Sequence, residues 1–171
     1  DGNGRWARER GLPHIAGHKA GAEAVARCVR AAMQRGVPYL TLYAFSSENW
    51  SRGPQEVSDL TSLLRYYLRH KVRELHTKGV RLRFIGELDR FDPSLRQELD
   101  RAEALTRDNT GMVLLLALSY GGRCDIVQSA RTLARAVKAG QLAPEDITEA
   151  KLASHLWTHD VPDPDVVVRT S

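Results

Sequence analysis

The sequence predicts an α/β fold with a mainly parallel central sheet and helices on both faces of that sheet. Short β-rich runs alternate with longer amphipathic segments along the whole chain. One of these runs, residues 112–118 (MVLLLAL), is apolar throughout, which is typical of a central parallel strand that is covered on both faces. The chain has 171 residues, 42% of them hydrophobic, and no repeat or linker. It is therefore expected to form a single domain over residues 1–171.

The individual elements follow from periodicity and from cap residues. Apolar residues at spacings of three and four predict helices, and β-branched or alternating runs predict strands. Pro54 suits the first turn of a helix, and Asp92 followed by Pro93 is typical of a helix start. The predicted helices cover about 20–35, 54–78, 92–109, 126–137 and 148–157, and the predicted strands cover 39–45, 80–85, 112–118 and 165–169.

The polar loops DGNGR, SSENW, SYGGR and RTS each follow, or should follow, a strand. In parallel α/β sheets the ligand lies beyond the carboxyl ends of the strands, so these four loops are expected to meet at one edge. The first loop would then need a strand before residue 1, and the last loop would continue beyond residue 171. We therefore expect an N-terminal strand and a C-terminal segment outside these residues.

Composition and charge narrow the function further. The net charge of +4 and the pI near 9.3 suit an anionic ligand but do not by themselves indicate nucleic acid. No run of about 18 apolar residues suggests a membrane span, and no signal peptide is visible, so a cytoplasmic protein is expected. Cys28 and Cys124 are far apart in sequence, which predicts two buried, reduced thiols.

The opening DGNGR has the chemistry of a phosphate-binding loop. Gly2 and Gly4 allow backbone N–H groups to approach a ligand closely, and Arg5 offers a fork of donors to phosphate oxygens. Asp1 would repel a bare phosphate, so it needs a bridging cation, and Mg²⁺ is the natural candidate. Taken alone, GNG could equally be an ordinary turn. Further basic donors follow at His14, His18 and Lys19.

The loop SSENWSR can serve a polar reacting centre. Ser46, Asn49 and Arg52 can hydrogen-bond an anion, and Trp50 can cover a flat or apolar substrate. The alternative is a helix-capping loop with a half-buried tryptophan. No Ser-His-Asp pattern, G-x-S-x-G motif or zinc spacing of histidines is visible, which argues against nucleophilic and zinc chemistry. The apolar stripe of helix 54–78 is either core or the wall of a tunnel for a hydrocarbon chain.

Taken together, DGNGRWA, GHKAG, LTLYAFSSENWSR, VRLRFIG, NTG, SYGGRCDI and DVVVRTS resemble the cis-prenyltransferases over essentially all 171 residues. The resemblance implies repeated addition of isopentenyl diphosphate to an allylic primer, with farnesyl diphosphate as the expected primer and Mg²⁺ as the cofactor. The expected product is undecaprenyl diphosphate, the carrier lipid of cell-wall synthesis. A hydrophobic product tunnel, a homodimer and transient peripheral contact with a membrane are also implied.

The resemblance assigns roles to individual residues. Asp1 is expected to bind the metal and, with Asn3 and Asn49, to act in catalysis. His14 stands where relatives often carry an arginine, so it would be a weaker, pH-sensitive donor. The tunnel would be lined by Ala44, Leu64, Met112 and Leu118, with Met112 limiting product length. The substrate-binding residues are expected to be Gly2, Asn3, Gly4, Arg5, Trp6, His14, His18, Phe45, Ser46, Glu48, Trp50, Arg52 and Arg169.

Two other functions are compatible with such a sequence. The first is a non-catalytic partner subunit of the same fold, although such subunits lose the opening aspartate motif that this chain keeps. The second is a basic nucleotide- or RNA-binding α/β domain, for which neither an aromatic stacking platform nor an RNA motif is visible. No nucleic-acid partner is expected.

Overall fold

A computed structural model describes residues 2–170, and its centre is a parallel sheet. The strands are β1 (Tyr39–Ser46), β2 (Arg81–Ile85) and β3 (Val113–Tyr120), in the spatial order β1-β3-β2. Val113 begins β3 opposite Tyr39 on one side and opposite Arg81 on the other. The apolar run predicted to be a central strand does lie in the middle. The α/β fold with a parallel sheet is confirmed.

The helices begin and end close to the predicted residues in the middle of the chain. Pro54 and Pro93 each occupy a first turn, and Asp92 caps its helix by accepting hydrogen bonds from the amides of Ser94 and Leu95. The helices in the described part are α1 (Asn3–Glu9), α2 (His14–Gln34), α3 (Pro54–Thr77), α4 (Pro93–Thr106), α5 (Gly122–Lys138) and α6 (Glu149–Ala153), with 3₁₀ turns at Ser47–Ser51, Leu88–Arg90 and Pro144–Asp146.

The core lies mainly on one face of the sheet, between the strands and α2, α3 and α4. Val29 of α2, Val72 of α3 and Leu95 of α4 pack there with Leu114 of β3. Leu115, which points to the opposite face of the sheet, packs in a smaller group that includes Trp157 and Val161, after α6. Burial of this apolar area is the main stabilising contribution, and it fixes the carboxyl ends of β1 and β3 side by side.

The predicted strand at 165–169 is wrong. Residues 166–170 have no regular secondary structure and pair with no strand in the described part of the chain. Val166, Val167 and Val168 are 74%, 82% and 81% exposed. Valine-rich runs favour strands because their side chains pack well on a half-buried sheet, and in the described part of the chain no strand pairs with this run. Three helix boundaries also differ by four residues or more, since α2 begins at His14 instead of about 20, α5 begins at Gly122 instead of 126, and α6 ends at Ala153 instead of about 157.

The prediction of two buried cysteines is also wrong. Cys28 is exposed and Cys124 is partly exposed, and both are free. Cys28 directly precedes Val29, whose side chain is buried. Successive side chains on a helix point about 100° apart, so the side chain of Cys28 points towards solvent when that of Val29 points into the core. Within residues 2–170 no helix is both long and apolar enough to cross a bilayer.

Candidate functional site

Asn3 is held against α2 by two glycines, Gly17 and Gly21. A Cβ added to Gly17 would lie 2.0 Å from the carbonyl oxygen of Asn3, and one added to Gly21 would lie 2.6 Å from its Nδ2. Only glycine leaves room for α1 at this distance, so the sequence GHKAG sets where Asn3 sits. The same two helices also meet at Gly4 of α1, which faces the ring of His14 in the first turn of α2. A Cβ added to Gly4 would lie 3.1 Å from Cε1 of that ring.

Gly2 makes the turn from which α1 starts. Its φ of 80° lies in the left-handed region, which favours glycine, and its carbonyl accepts a 2.8 Å hydrogen bond from the amide of Trp6. The first-turn amides that follow have no acceptor within the helix, as in any helix. The glycine is therefore required by the backbone at this position.

His18 is the central side chain of the site. It is 9% exposed, and its Nε2 is the one buried side-chain nitrogen or oxygen in residues 2–170 without a hydrogen-bond partner. Glu56 Oε1 lies 3.7 Å from that nitrogen and also accepts a 2.5 Å hydrogen bond from Arg52 Nη1. His18, Arg52 and Glu56 thus come together from α2, the loop after β1 and the first turn of α3. Buried polar atoms normally have partners, so the Nε2 of His18 is a candidate to donate to or accept from a ligand.

Glu56 did not emerge as a site residue from the sequence. The available signal was its spacing of four from Arg52 across the helix start, where an acidic side chain is favoured by the helix dipole. Its carboxylate orients the Arg52 guanidinium next to His18. That position lets Glu56 act on a ligand through Arg52.

The pKa of His18 is lowered from the model-peptide value of 6.5, chiefly because burial disfavours the charged ring. Arg52 and His14 lower this pKa further, while Glu56 and Asp59 oppose the shift. Without ligand the ring is therefore neutral near pH 7. An anion at Nε2 would favour the protonated form and reverse the shift.

This lowered pKa predicts a pH-dependent stability. Below pH 6.5 the unfolded chain binds a proton at His18 that the folded chain does not, so the free energy of unfolding should decrease as the pH falls from 6.5 towards the lowered pKa. His18→Gln should remove this part of the dependence. Urea unfolding at pH 7.5 and at about 5.5 measures it, above the range in which ordinary carboxylates titrate. An equal change in the free energy of unfolding between the two pH values for the wild type and for His18→Gln would contradict the prediction.

The predicted SSENW loop is a 3₁₀ turn with a reciprocal cap. Ser46 Oγ accepts from the amide of Glu48 at 3.1 Å, and Asn49 Oδ1 accepts from the amide of Ser46 at 2.9 Å. Two side chains at the carboxyl end of β1 therefore fix the turn that leads to Arg52. The Oδ1 of Asn49 thus already accepts a hydrogen bond within this turn.

Trp50 is half-buried in an aromatic group. Its ring lies 5.0 Å from Phe45 and 5.2 Å from Phe91, the Arg90 guanidinium carbon lies 4.9 Å from its centre, and its Nε1 donates to Ser119 Oγ at 2.9 Å. The alternative of a capping loop with a half-buried tryptophan thus describes the local structure correctly. Contact with substrate stays a prediction for this side chain.

The other predicted site residues are exposed or lie outside the described chain. Trp6 is partly exposed beneath the Arg10 guanidinium, 4.5 Å from its ring centre. Arg5 and Glu48 are exposed, and Arg169 is exposed in the irregular stretch near the end of the described chain. Asp1, the predicted metal ligand, lies outside the described residues.

The donor set fits an anion better than a bare metal ion. In residues 2–170 no three His, Cys, Asp or Glu side chains come together in a way that could hold a metal. Asn3, His18 and Arg52 can all donate hydrogen bonds, as diphosphate oxygens require. Mg²⁺ is usually held by one or two carboxylates together with substrate phosphates. The donors present suit a diphosphate, and binding of Mg²⁺ through Asp1 stays a prediction.

Most of the predicted tunnel residues lie in the main apolar cluster. Leu118 and Met112 are buried and Leu64 is half-buried there, whereas Ala44 is exposed and lies outside the cluster. The cluster extends from Phe45, beside the site, to Met112, at the amino end of β3. A cavity of about 390 Å³ opens beside Met112, and its lining includes Met33, Val37 and Lys78.

Comparisons with known proteins agree with this geometry. Residues 1–171 match the family described as "Putative undecaprenyl diphosphate synthase". An isoprenyl transferase of Brucella abortus is 51% identical over 171 residues, which are 100% of this chain and 67% of that protein. A ditrans,polycis-undecaprenyl-diphosphate synthase of Salmonella paratyphi A, named as specific for (2E,6E)-farnesyl diphosphate, is 49% identical over 99% of this chain and 68% of its own length. The structure of lavandulyl diphosphate synthase from Lavandula x intermedia, in complex with dimethylallyl diphosphate, superposes with a TM-score of 0.90 at 37% identity over 94% of this chain and 69% of that one.

Proposed function

Because this chain belongs to the undecaprenyl diphosphate synthase family, we propose that it catalyses the condensation of isopentenyl diphosphate with an allylic diphosphate, farnesyl diphosphate in the first instance. Repeated addition with cis stereochemistry would give a polyprenyl diphosphate, with undecaprenyl diphosphate for cell-wall synthesis as the expected product. The Salmonella relative's name supports the primer and the product. The allylic ligand of the lavender structure supports the substrate class.

One observation carries the proposal: the buried, unpaired Nε2 of His18 beside Arg52. A diphosphate oxygen at this position would accept from a protonated His18, and Arg52 would share the charge. Asn3, whose backbone contacts Gly17 next to His18 in sequence, is proposed to donate to the same group. Hydrogen-bond donors that are fixed before the substrate arrives stabilise a leaving diphosphate because they need no reorganisation during the reaction.

The reaction requires the allylic C–O bond to break while the diphosphate takes the electron pair. The isopentenyl double bond then forms the new C–C bond, and a proton is lost. When bound, Mg²⁺ would neutralise part of the diphosphate charge, with Asp1 as its protein ligand. The task of His18, Arg52 and Asn3 is to hold the diphosphate, and Arg5 and Arg169 are proposed to bind further phosphate oxygens.

The direct test is an assay of the whole, purified protein with labelled isopentenyl diphosphate, farnesyl diphosphate and Mg²⁺. The labelled product should be extractable into organic solvent. Absence of product from the protein alone, together with its appearance on addition of a homologous subunit, would instead indicate a non-catalytic partner subunit. Competition of short RNA with farnesyl diphosphate would favour the nucleic-acid alternative.

Met112 provides a prediction about product length. Its buried side chain closes the apolar cluster next to the cavity at the amino end of β3. Met112→Ala should therefore lengthen the product by one or more isoprene units, as measured by chromatography of the dephosphorylated alcohols. Leu133→Ala is a suitable control, because Leu133 is 2% exposed on α5 and is not a member of that cluster. Both changes should cost about 2–5 kcal/mol of stability. An unchanged product from Met112→Ala would remove Met112 from the tunnel.

A further inference from the structure

Ser119 has an unusual backbone at the carboxyl end of β3. Its φ is 50°, and within residues 2–170 it is the one residue other than glycine with a positive φ. It is also 0% exposed. A left-handed serine persists only where the surrounding structure holds it, and such residues occur preferentially at functional sites.

Two contacts hold Ser119 in this conformation. Its Oγ accepts the 2.9 Å hydrogen bond from Trp50 Nε1, and its carbonyl accepts a 3.3 Å bond from the amide of Glu87. The neighbouring Gly86 has a φ of 117°, and a Cβ there would lie 2.0 Å from the carbonyl oxygen of Leu118. The turn after β2 is thus pressed against the end of β3.

Gly121, two residues after Ser119, contacts the 3₁₀ turn that contains Trp50. A Cβ at Gly121 would lie 2.6 Å from Ser47 Oγ. Residues 119–121 therefore form a surface on which the turn Ser47–Ser51 rests, with a hydrogen bond at Trp50 and a close approach at Ser47. Both contacts are independent of the cap that Ser46 and Asn49 form.

We propose that Ser119 is a positioning residue, which acts through Trp50 to fix the 3₁₀ turn that leads to Arg52. Packing against Phe45 and Phe91 favours the edge-on and tilted ring arrangements observed. The hydrogen bond adds a further restraint, because the indole N–H is the one donor of the ring and must face Ser119. The inference rests on the proposed function, since the turn matters through the substrate that Arg52 is proposed to bind.

A double-mutant cycle in the whole protein tests the proposal. Ser119→Ala and Trp50→Phe should each lower kcat/KM by about tenfold or more, because each breaks the same bond near the site. The double variant should lose little more than either single one. Ser119→Gly also removes the hydroxyl while relieving the left-handed backbone, so it should be at least as stable as Ser119→Ala and show the same loss of activity.

Ser129→Ala is the matched control. Ser129 is likewise 0% exposed, and its Oγ donates to the carbonyl of Leu152 at 3.0 Å, away from the turn. It should lower the unfolding temperature without changing kcat or KM. Normal kcat and KM for both Ser119 variants, or losses that multiply in the double variant, would overturn the proposal.

Urea unfolding of the wild type, Ser119→Ala, Trp50→Phe and the double variant separates this inference from the proposed function. A coupling between Ser119→Ala and Trp50→Phe should appear in the free energies of unfolding whether or not the protein turns over substrate. An inactive wild-type protein with intact coupling would contradict the proposed function and support the contact. Additive free energies would overturn the role of Ser119 even in an active enzyme.

Discussion

Gly17→Ala is expected to lower kcat/KM about 100-fold or more, although the substitution adds one methyl group. The new Cβ would lie 2.0 Å from the carbonyl oxygen of Asn3, a separation that only movement of α1 can relieve. That movement shifts Asn3 and the preceding loop relative to His18 in α2. A displacement of about 1 Å at a reacting centre costs about 100-fold in rate. Steady-state kinetics with each substrate varied in turn measures the loss.

Helix propensity makes this prediction distinctive. Alanine is favoured over glycine in a helix interior by roughly 0.5–1 kcal/mol, so without the clash Gly17→Ala would stabilise the protein. Arg30→Ala is the control, since Arg30 is exposed on the same helix and its replacement puts an alanine into α2 without a clash. It should leave activity unchanged. Activity of Gly17→Ala close to that of the wild type would show that the position of α1 does not matter.

The strands and the long helices could be predicted from the sequence because their signals are local. Pro54 and Asp92 mark helix starts by their own chemistry, and both do so in the structure. The run 112–118 has no polar face, so a central strand was its natural place. In these segments local propensity and tertiary packing favour the same conformation.

The start of α2 could not be predicted, because its glycines serve a tertiary contact. Gly17 and Gly21 lower helix propensity, and the helix start predicted from periodicity, at about residue 20, falls between them. In the structure both lie inside α2, where their lack of a side chain admits Asn3. The glycines that obscured the helix in the sequence are the ones that position the site.

Candidate site residues were predictable by chemical type but not by their pairing. His18 and Arg52 could be selected as phosphate donors, yet nothing local shows that both approach Glu56. The role of Ser119 could not be predicted, because a serine at the end of an apolar strand is common and only its positive φ distinguishes it. Contacts between distant segments depend on how the sheet and helices pack, and no short window of sequence contains that information.

Asp1→Ala is expected to reduce turnover about 100- to 1,000-fold, as for loss of a group that stabilises developing charge. The donors that meet near His18 can neutralise diphosphate oxygens but cannot hold a divalent cation, and residues 2–170 offer no alternative metal cluster. Asp1 is the carboxylate next to Gly2 in sequence. EDTA should abolish turnover of the wild type, and added Mg²⁺ should restore it.

Binding of inorganic diphosphate, measured by calorimetry, tests the same role without turnover. Mg²⁺ should tighten this binding in the wild type and have little effect in Asp1→Ala, because the variant keeps the basic donors and lacks the carboxylate that shares the ion. Asp108→Ala is the matched control, since that side chain is 92% exposed next to Arg107. It should retain both activity and the Mg²⁺ effect. If Mg²⁺ strengthens diphosphate binding equally in Asp1→Ala, the ion is held elsewhere and Asp1 is not its ligand.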